Sequence, residues 1–332
     1  MTPGCWFLHD ILLKDPSGKP IQDITAPTKL IRDPTHPNFK CWLDTKVKSE
    51  LSLGYKYFKF DFLNLAGYEG AHYNKTLAPT GMAAYALGLR MIAEAVDGRA
   101  VLDYGISYPL PVGAAGHARH QGCEQMYGGV EYGMNQFAGG WWLNNLYSWL
   151  DPDTVAFRGH YWFRPDNWTA SISMDSRSRA AKAIVYGGLY KWGDDPLNTT
   201  TLPVAVELFT NKLANEMWSV ARAGQPDTAF RPVSAWGEGG LPPFLHYAPT
   251  TFARVNGDVA VFNYIDKTRS FTVDLRDAGF RGDAAGVECE QVWESGQRLT
   301  PSRQSALSVK VAGLSSVLLK CRRNASGTML GR

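Results

Sequence analysis

The sequence has few of the features that mark membrane proteins or nucleic-acid-binding proteins. No apolar run reaches the roughly 20 residues that a transmembrane helix requires. The formal net charge is only +3 over 332 residues, which does not favour binding to nucleic acid or to a membrane surface. We therefore expect neither nucleic acid nor membrane among the partners.

Cysteine is scarce and irregularly spaced. The five cysteines are Cys5, Cys41, Cys123, Cys289 and Cys321, and no two of them have the C-x-x-C spacing typical of zinc sites. We therefore expect neither a zinc site nor a disulfide framework. Cys289 and Cys321 could still bridge two strands of one small domain. No metal or organic cofactor is implied.

The N-terminus lacks the pattern of a secretory signal peptide. Residues 1–10 contain no basic region and no long apolar segment. Residues 5–8 already have a strand pattern, so the chain opens inside a structural element and we expect its beginning to be missing. The compartment stays open, because secretion would require a signal peptide in that missing segment.

The composition is otherwise that of a large globular protein rich in aromatic residues. Hydrophobic residues make up 45% of the chain and aromatic residues 12%. A chain of this length has room for a large core and a second domain. Aromatic rings suit sugar ligands as well as cores, so this content is only a hint of function.

The first part of the chain alternates between strand and helix patterns. Strands are predicted at 56–62 and 99–106, and helices at 37–53, 79–96, 132–149 and 204–222. The stretch 176–190 opens as a helix and runs into an apolar segment at 183–189. This alternation is typical of parallel β/α units. After about residue 243 the pattern changes to short β segments separated by turns, so we place a domain boundary at 240–241 and predict an antiparallel β-sandwich beyond it.

The stretch 54–64 is the clearest candidate for a catalytic strand. Its aromatic residues are typical of a packed strand, and Lys59 and Asp61 would point to one face because they are two residues apart. Charges at the end of an apolar strand are costly unless they pair or serve a ligand. The residues leave two interpretations open: an ion pair at the strand end, or a catalytic carboxylate kept ionised by the ammonium group.

Acidic residues recur where other strands are expected to end. Glu124 lies in the loop after the strand at 99–106, and Asp153 belongs to an Asp-Pro-Asp turn. The active site of a β/α barrel lies at the C-terminal ends of its strands, and cleavage of a glycosidic bond needs two carboxylates facing one cleft. For Glu124 a solvated loop position, and for Asp153 a turn or N-cap role, are the alternatives.

The order of these motifs resembles the clan of retaining α-galactosidases, glycoside hydrolase families 27 and 36 and their relatives. The resemblance rests on Tyr57-Phe-Lys-Phe-Asp-Phe62, His117-Ala-Arg-His-Gln-Gly-Cys-Glu124 and Tyr147-Ser-Trp-Leu-Asp-Pro-Asp153. It continues more weakly over most of the chain. It implies a (β/α)8-type TIM barrel over 1–240, N-terminally incomplete, followed by a C-terminal antiparallel β-sandwich over 241–332.

The resemblance also implies a role for each candidate residue. Asp61 would be the nucleophile and Glu124 the acid/base in retaining hydrolysis of an α-galactoside or related α-glycoside. The residues implied to contact this carbohydrate are Lys59, Asp153, Arg119 and His120. Asp10 is expected to line the cleft because it lies at the end of the strand at 5–8. Arg119 and His120 are alternatives for a single family arginine.

Several departures from the family pattern define the competing hypotheses. The family acid/base is Asp where this chain has Glu124, and the first barrel strands are not found. A barrel with open edges is unstable or needs a partner, so the sequence is either a fragment or a protein that has lost full activity. The alternatives are a carbohydrate-binding relative without turnover and a barrel hydrolase that acts on α-glucosides.

Overall fold

The computed structural model describes residues 11–23, 26–108, 116–120, 130–153, 155, 157, 175–188, 191–219, 228–237, 248–282, 284–294, 297–301 and 305–323. These residues form two compact units, one ending at His120 and one made of the later residues. Within the described ranges, no helix is both long enough and apolar enough to cross a membrane. The predicted strand at 5–8 and the predicted boundary at 240–241 lie outside the described residues, so both stay predictions.

The first unit contains the predicted parallel β/α order. Its elements are β1 (Gln22–Asp23), β2 (Ala26–Leu30), α1 (Phe39–Ser52), β3 (Tyr57–Phe60), a 3-10 helix (Leu63–Gly67), α2 (Gly81–Val96), β4 (Val101–Tyr104) and β5 (Ala118–His120). β1 and β2 pair in antiparallel fashion. β3, β4 and β5 are neighbours in that order and run parallel, as crossover helices require.

Helices α1 and α2 cover one face of these parallel strands. α2 begins where the Thr80 hydroxyl accepts a hydrogen bond from the Ala83 backbone N–H, and it ends at Asp97 in the left-handed conformation, which are common start and stop signals. The apolar stripes of both helices pack against alternate strand residues. This core contains Phe39, Leu43, Tyr85, Leu89, Ile92, Leu102 and Tyr104, with Phe58 and Phe60 at its edge. The opposite face of β3 therefore carries Lys59.

The second unit contains helices followed by antiparallel strands. Its elements are α3 (Val130–Gly140), a 3-10 helix (Trp141–Asn145), β6 (Trp149–Asp151), α4 (Ser176–Tyr186), α5 (Thr201–Phe209), α6 (Lys212–Ser219), β7 (Arg231–Pro232), β8 (Thr251–Arg254), β9 (Asp258–Asn263), β10 (Arg269–Asp274), β11 (Val287–Gln291), β12 (Arg298–Leu299), β13 (Ala306–Val311) and β14 (Ser315–Arg323).

Two predicted helices differ from the structure. The helix expected over 132–149 ends at Gly140, and the later residues form the 3-10 helix and β6. The single helix expected over 204–222 is two helices, α5 and α6. The break follows from Asn211, whose side-chain oxygen accepts a hydrogen bond from the Ala214 N–H and so caps a new helix. Periodicity alone did not reveal this cap.

The antiparallel strands form two sheets that share a core. Six strands pair in the order β12-β11-β14-β9-β8-β7, and β10 pairs with β13. One face of the six-stranded sheet packs on β10 and β13, through residues such as Val261 and Leu319. The other face packs on helices α3, α4 and α6, through residues such as Phe252 and Phe262. A disulfide joins Cys289 and Cys321 at paired positions of β11 and β14.

Candidate active site

Asp61 lies directly after the C-terminal end of β3. Its side chain is exposed, and its Oδ1 atom accepts a hydrogen bond from the Phe62 backbone N–H at 2.9 Å. Parallel strands in β/α proteins present their C-terminal ends to ligands. The structure therefore places this carboxylate where such proteins bind and transform substrates.

Gly105, directly after β4, leaves the space that the Asp61 carboxylate occupies. The Gly105 N–H donates to the Phe60 carbonyl at 2.7 Å, which holds the two strand ends together. A Cβ atom on Gly105 would lie 3.0 Å from both Cα and Cγ of Asp61, and closer still to Oδ1. A side chain at position 105 would therefore displace the carboxylate or the β3 backbone.

The backbone turns sharply after both strands. Phe62 has φ 57° and Ile106 has φ 44°, a left-handed conformation that bulky and β-branched residues rarely adopt. Two further hydrogen bonds hold these turns together: Leu63 N–H donates to Gly105 O, and Asn64 N–H donates to Ile106 O. Strained backbone of this kind persists where the surrounding structure fixes it, often at functional sites.

A buried acid lies beside Lys59. Lys59 and Asp103 are paired positions of β3 and β4, so both side chains lie on the face opposite α1 and α2. Asp103 is fully buried, and the Tyr57 hydroxyl donates a hydrogen bond to its Oδ2 atom. Tyr57 and Lys59 therefore share one face of β3, and Asp103 lies next to them on β4.

Arg119 lies on the other face of the sheet from Lys59. Its position in β5 pairs with Tyr104, which packs into the core under α1 and α2. Its guanidinium donates to the Ser107 carbonyl at 3.0 Å. This hydrogen bond helps to hold the chain after β4 in place. The side chain of His120 lies outside the described residues.

The Asp-Pro-Asp turn follows β6 in the second unit. Asp151 is fully buried, forms an ion pair with Lys191, and accepts the Asp153 backbone N–H at 3.1 Å. The Pro152 carbonyl accepts a hydrogen bond from Lys182 Nζ at 3.2 Å. Asp153 is half-buried and has φ 71°. The first aspartate of the motif therefore fixes the turn, and the second is the one that the turn presents.

Two predicted site residues, Glu124 and Asp10, lie outside the described residues, so the roles expected of them stay predictions. Within the part of the chain that the structure describes, no three side chains of His, Cys, Asp or Glu are grouped to hold a metal ion.

The sequence patterns did not identify two residues near Lys59 and Asp61, which are Asp103 and Gly105. Asp103 sits between apolar and aromatic residues of a strand, and a carboxylate in such a position is a signal that could have identified it. Gly105 directly follows the same strand. Its contact with Asp61 depends on the register of two strands, which the sequence does not display.

Comparisons with known proteins place this geometry in a known fold. No family model matches the sequence, and no curated protein matches it. A β-L-arabinopyranosidase of glycoside hydrolase family 27 from Geobacillus stearothermophilus superposes with a TM-score of 0.61 at 17% identity, over 96% of this chain and 68% of that one. An α-galactosidase from Saccharomyces cerevisiae superposes with a TM-score of 0.56 at 11% identity, over 86% of this chain and 76% of that one.

A third structure, described as an α-galactosidase or melibiase of Bacteroides fragilis, superposes with a TM-score of 0.54 at 14% identity, over 85% of this chain. The present chain spans 57% of the length of that protein. These likenesses define the fold, which is that of the α-galactosidase clan. The resemblance inferred from the sequence motifs is thereby confirmed at the level of fold.

Proposed function

We propose that this chain is a retaining glycoside hydrolase with Asp61 as its nucleophile. The observation that carries the proposal is the exposed Asp61 carboxylate, which lies after the end of β3 and next to Gly105. The fold is shared with glycosidases. A covalent nucleophile must be held at a defined position relative to the carbon that it attacks. A carboxylate fixed at this point therefore suits attack on an anomeric carbon.

The proposed reaction proceeds by double displacement. An Asp61 oxygen attacks the anomeric carbon, the bond from that carbon to the leaving oxygen breaks, and Glu124 gives its proton to the leaving oxygen. Glu124 then takes a proton from water, whose oxygen attacks the same carbon. The ester bond to Asp61 breaks, and the sugar leaves with the nucleophile restored as a carboxylate.

The remaining candidates are proposed to hold the sugar. Lys59 and Asp153 would donate to and accept from ring hydroxyls, and His120 would take the part of the family arginine. Asp10 would line the same cleft. The substrate is proposed to be an α-galactoside or a β-L-arabinopyranoside, the sugars named for the structural neighbours. These two sugars have the same ring configuration, and the pentose lacks only the hydroxymethyl group.

The test is turnover of aryl α-galactoside, β-L-arabinopyranoside and α-glucoside by the purified chain and by Asp61→Asn. We expect release of the aryl group from one of the first two glycosides, and a loss of at least roughly 10⁴-fold in the variant, as for other covalent nucleophiles. Asp97→Asn is the matched control, because Asp97 is an exposed helix-end residue and Asn is well tolerated in a left-handed cap.

A fluorinated glycosyl fluoride should also leave one sugar covalently attached to the peptide that contains Asp61. Equal turnover by wild type and Asp61→Asn would refute the proposal. Sugar binding without turnover, by a folded chain, would favour the carbohydrate-binding relative. Turnover of the α-glucoside alone would replace the substrate class.

A further inference from the structure

Helix α4 contains a lysine that is fully buried. The flanking residues Ala181 and Ala183 are buried as well, and Lys182 itself has no exposed surface. A buried ammonium group costs several kcal/mol unless its donors are used. An apolar residue of similar volume would pack at this position without that cost. A functional or structural role of the ammonium group would explain why the position holds a lysine.

The lysine side chain runs past helix α3 at a glycine. A Cβ atom on Gly133 would lie 2.9 Å from Lys182 Cδ and 3.5 Å from Nζ. The Tyr186 hydroxyl, one turn further along α4, donates to the Gly133 carbonyl. Gly133 therefore provides the space through which Lys182 reaches beyond the helix pair.

The ammonium group reaches the backbone between the two aspartates of the Asp-Pro-Asp turn. Lys182 Nζ donates to the Pro152 carbonyl at 3.2 Å, one peptide bond before Asp153. The left-handed backbone of Asp153 is unfavourable for an isolated residue, so the turn depends on such contacts to hold its shape. The Asp151 carboxylate holds the same turn from its other side, through the Asp153 N–H.

We propose that Lys182 is a positioning residue, which sets the direction of the Asp153 carboxylate by holding the Pro152 carbonyl. The sugar-binding part of this inference rests on the proposed function of Asp153. The contact with the turn can be tested independently of turnover.

The test compares Lys182→Met with wild type and with Lys310→Met, a control on the exposed edge of β13. Methionine keeps the volume and removes the donor, and replacing a buried charge with an apolar group is often neutral or stabilising. We expect the Asp153 backbone N–H to exchange with solvent about tenfold faster, the effect of losing one charged hydrogen bond. For the glycoside that the wild type cleaves, we expect KM to rise by about tenfold and kcat to stay within about threefold.

Unchanged exchange at Asp153 in folded Lys182→Met would overturn the inference, and so would faster exchange with an unchanged KM. If the wild type shows no turnover and no sugar binding, the proposed function fails, while the exchange rate still decides whether Lys182 holds the turn. If Lys182→Met does not fold, Gly133→Ala decides, because its new methyl group displaces the lysine stem and alanine favours a helix. Exchange in Gly133→Ala should then be faster, and an unchanged rate would overturn the inference.

Discussion

The contact between Gly105 and Asp61 gives the sharpest test of the candidate active site. In Gly105→Ala, the new Cβ atom would be 3.0 Å from Cα and Cγ of Asp61 and closer to Oδ1, where ordinary contacts begin at 3.4 Å. The carboxylate must therefore move by up to about 1 Å, and a misplacement of that size costs on the order of 100-fold in rate. This corresponds to about 2.7 kcal/mol of activation free energy.

The assay measures kcat and KM for the glycoside that the wild type cleaves. We expect kcat to fall by about 100-fold while KM changes by less than about threefold, because the sugar-binding residues are untouched. The backbone contact will also lower the free energy of unfolding by about 1–3 kcal/mol, as overpacking does. Turnover is therefore measured at least 20 °C or so below the melting temperature of the variant.

Gly139→Ala is the control for the substitution itself. Gly139 lies in α3, and apart from its chain neighbours and the backbone of its own helix, no described atom lies within 4 Å of the position its Cβ would take. Alanine should stabilise this helix by about 0.5–1 kcal/mol and leave kcat unchanged. The reasoning would be refuted if Gly105→Ala kept kcat within threefold of wild type while Asp61→Asn was inactive. Turnover would then not depend on the position that the Asp61 carboxylate has next to Gly105.

Other predictions concern stability. Burial raises the pKa of Glu131 from 4.5 to about 7. The neutral side chain therefore contributes up to about 3 kcal/mol to the free energy of unfolding below pH 4.5, and this contribution is lost as the pH rises through 7. Glu131→Gln should therefore raise the melting temperature at pH 8 and not at pH 4; equal differences at both values would contradict this. Replacing both Cys289 and Cys321 by Ala should lower the free energy of unfolding by about 3–4 kcal/mol in urea titrations, given the sequence separation of 32. Thr80→Ala removes the α2 cap and should cost about 1 kcal/mol in the same titration; no change would mean that the cap is dispensable.

The parts of the fold that the sequence predicted well are those set by local chemistry. The bounds of α2 follow from Thr80 and from the Asp97-Gly98 pair, because caps act within a single turn. The location of Lys59 on the opposite face from Phe58 and Phe60 follows from the period of a strand. The break between α5 and α6 also has a local cause, because Asn211 caps α6. It was not predicted, since the apolar residues on both sides of the break fit one helical period.

The parts of the site that escaped prediction depend on register between strands. The face on which Arg119 lies is set by its pairing with Tyr104, because side chains alternate across a strand. The position of the Asp61 carboxylate next to Gly105 also depends on the register between strands. Register is fixed by the packing of a whole face, and no short motif reports it.

Left-handed backbone occurs near candidate residues in each of the two units. Among the described non-glycine residues, positive φ occurs at Phe62, Asp97, Ile106, Asp153 and Leu314. Asp97 is a helix cap, where such a conformation is ordinary. Phe62 and Ile106 follow the ends of β3 and β4, and Asp153 follows β6. Phenylalanine and isoleucine are poor choices for this conformation, so the sequence gives no warning of it. Each such residue costs roughly 1–3 kcal/mol, so it persists only where the surrounding structure fixes the turn. Strain of this kind clusters at functional sites, which agrees with the roles proposed for Asp61 and Asp153.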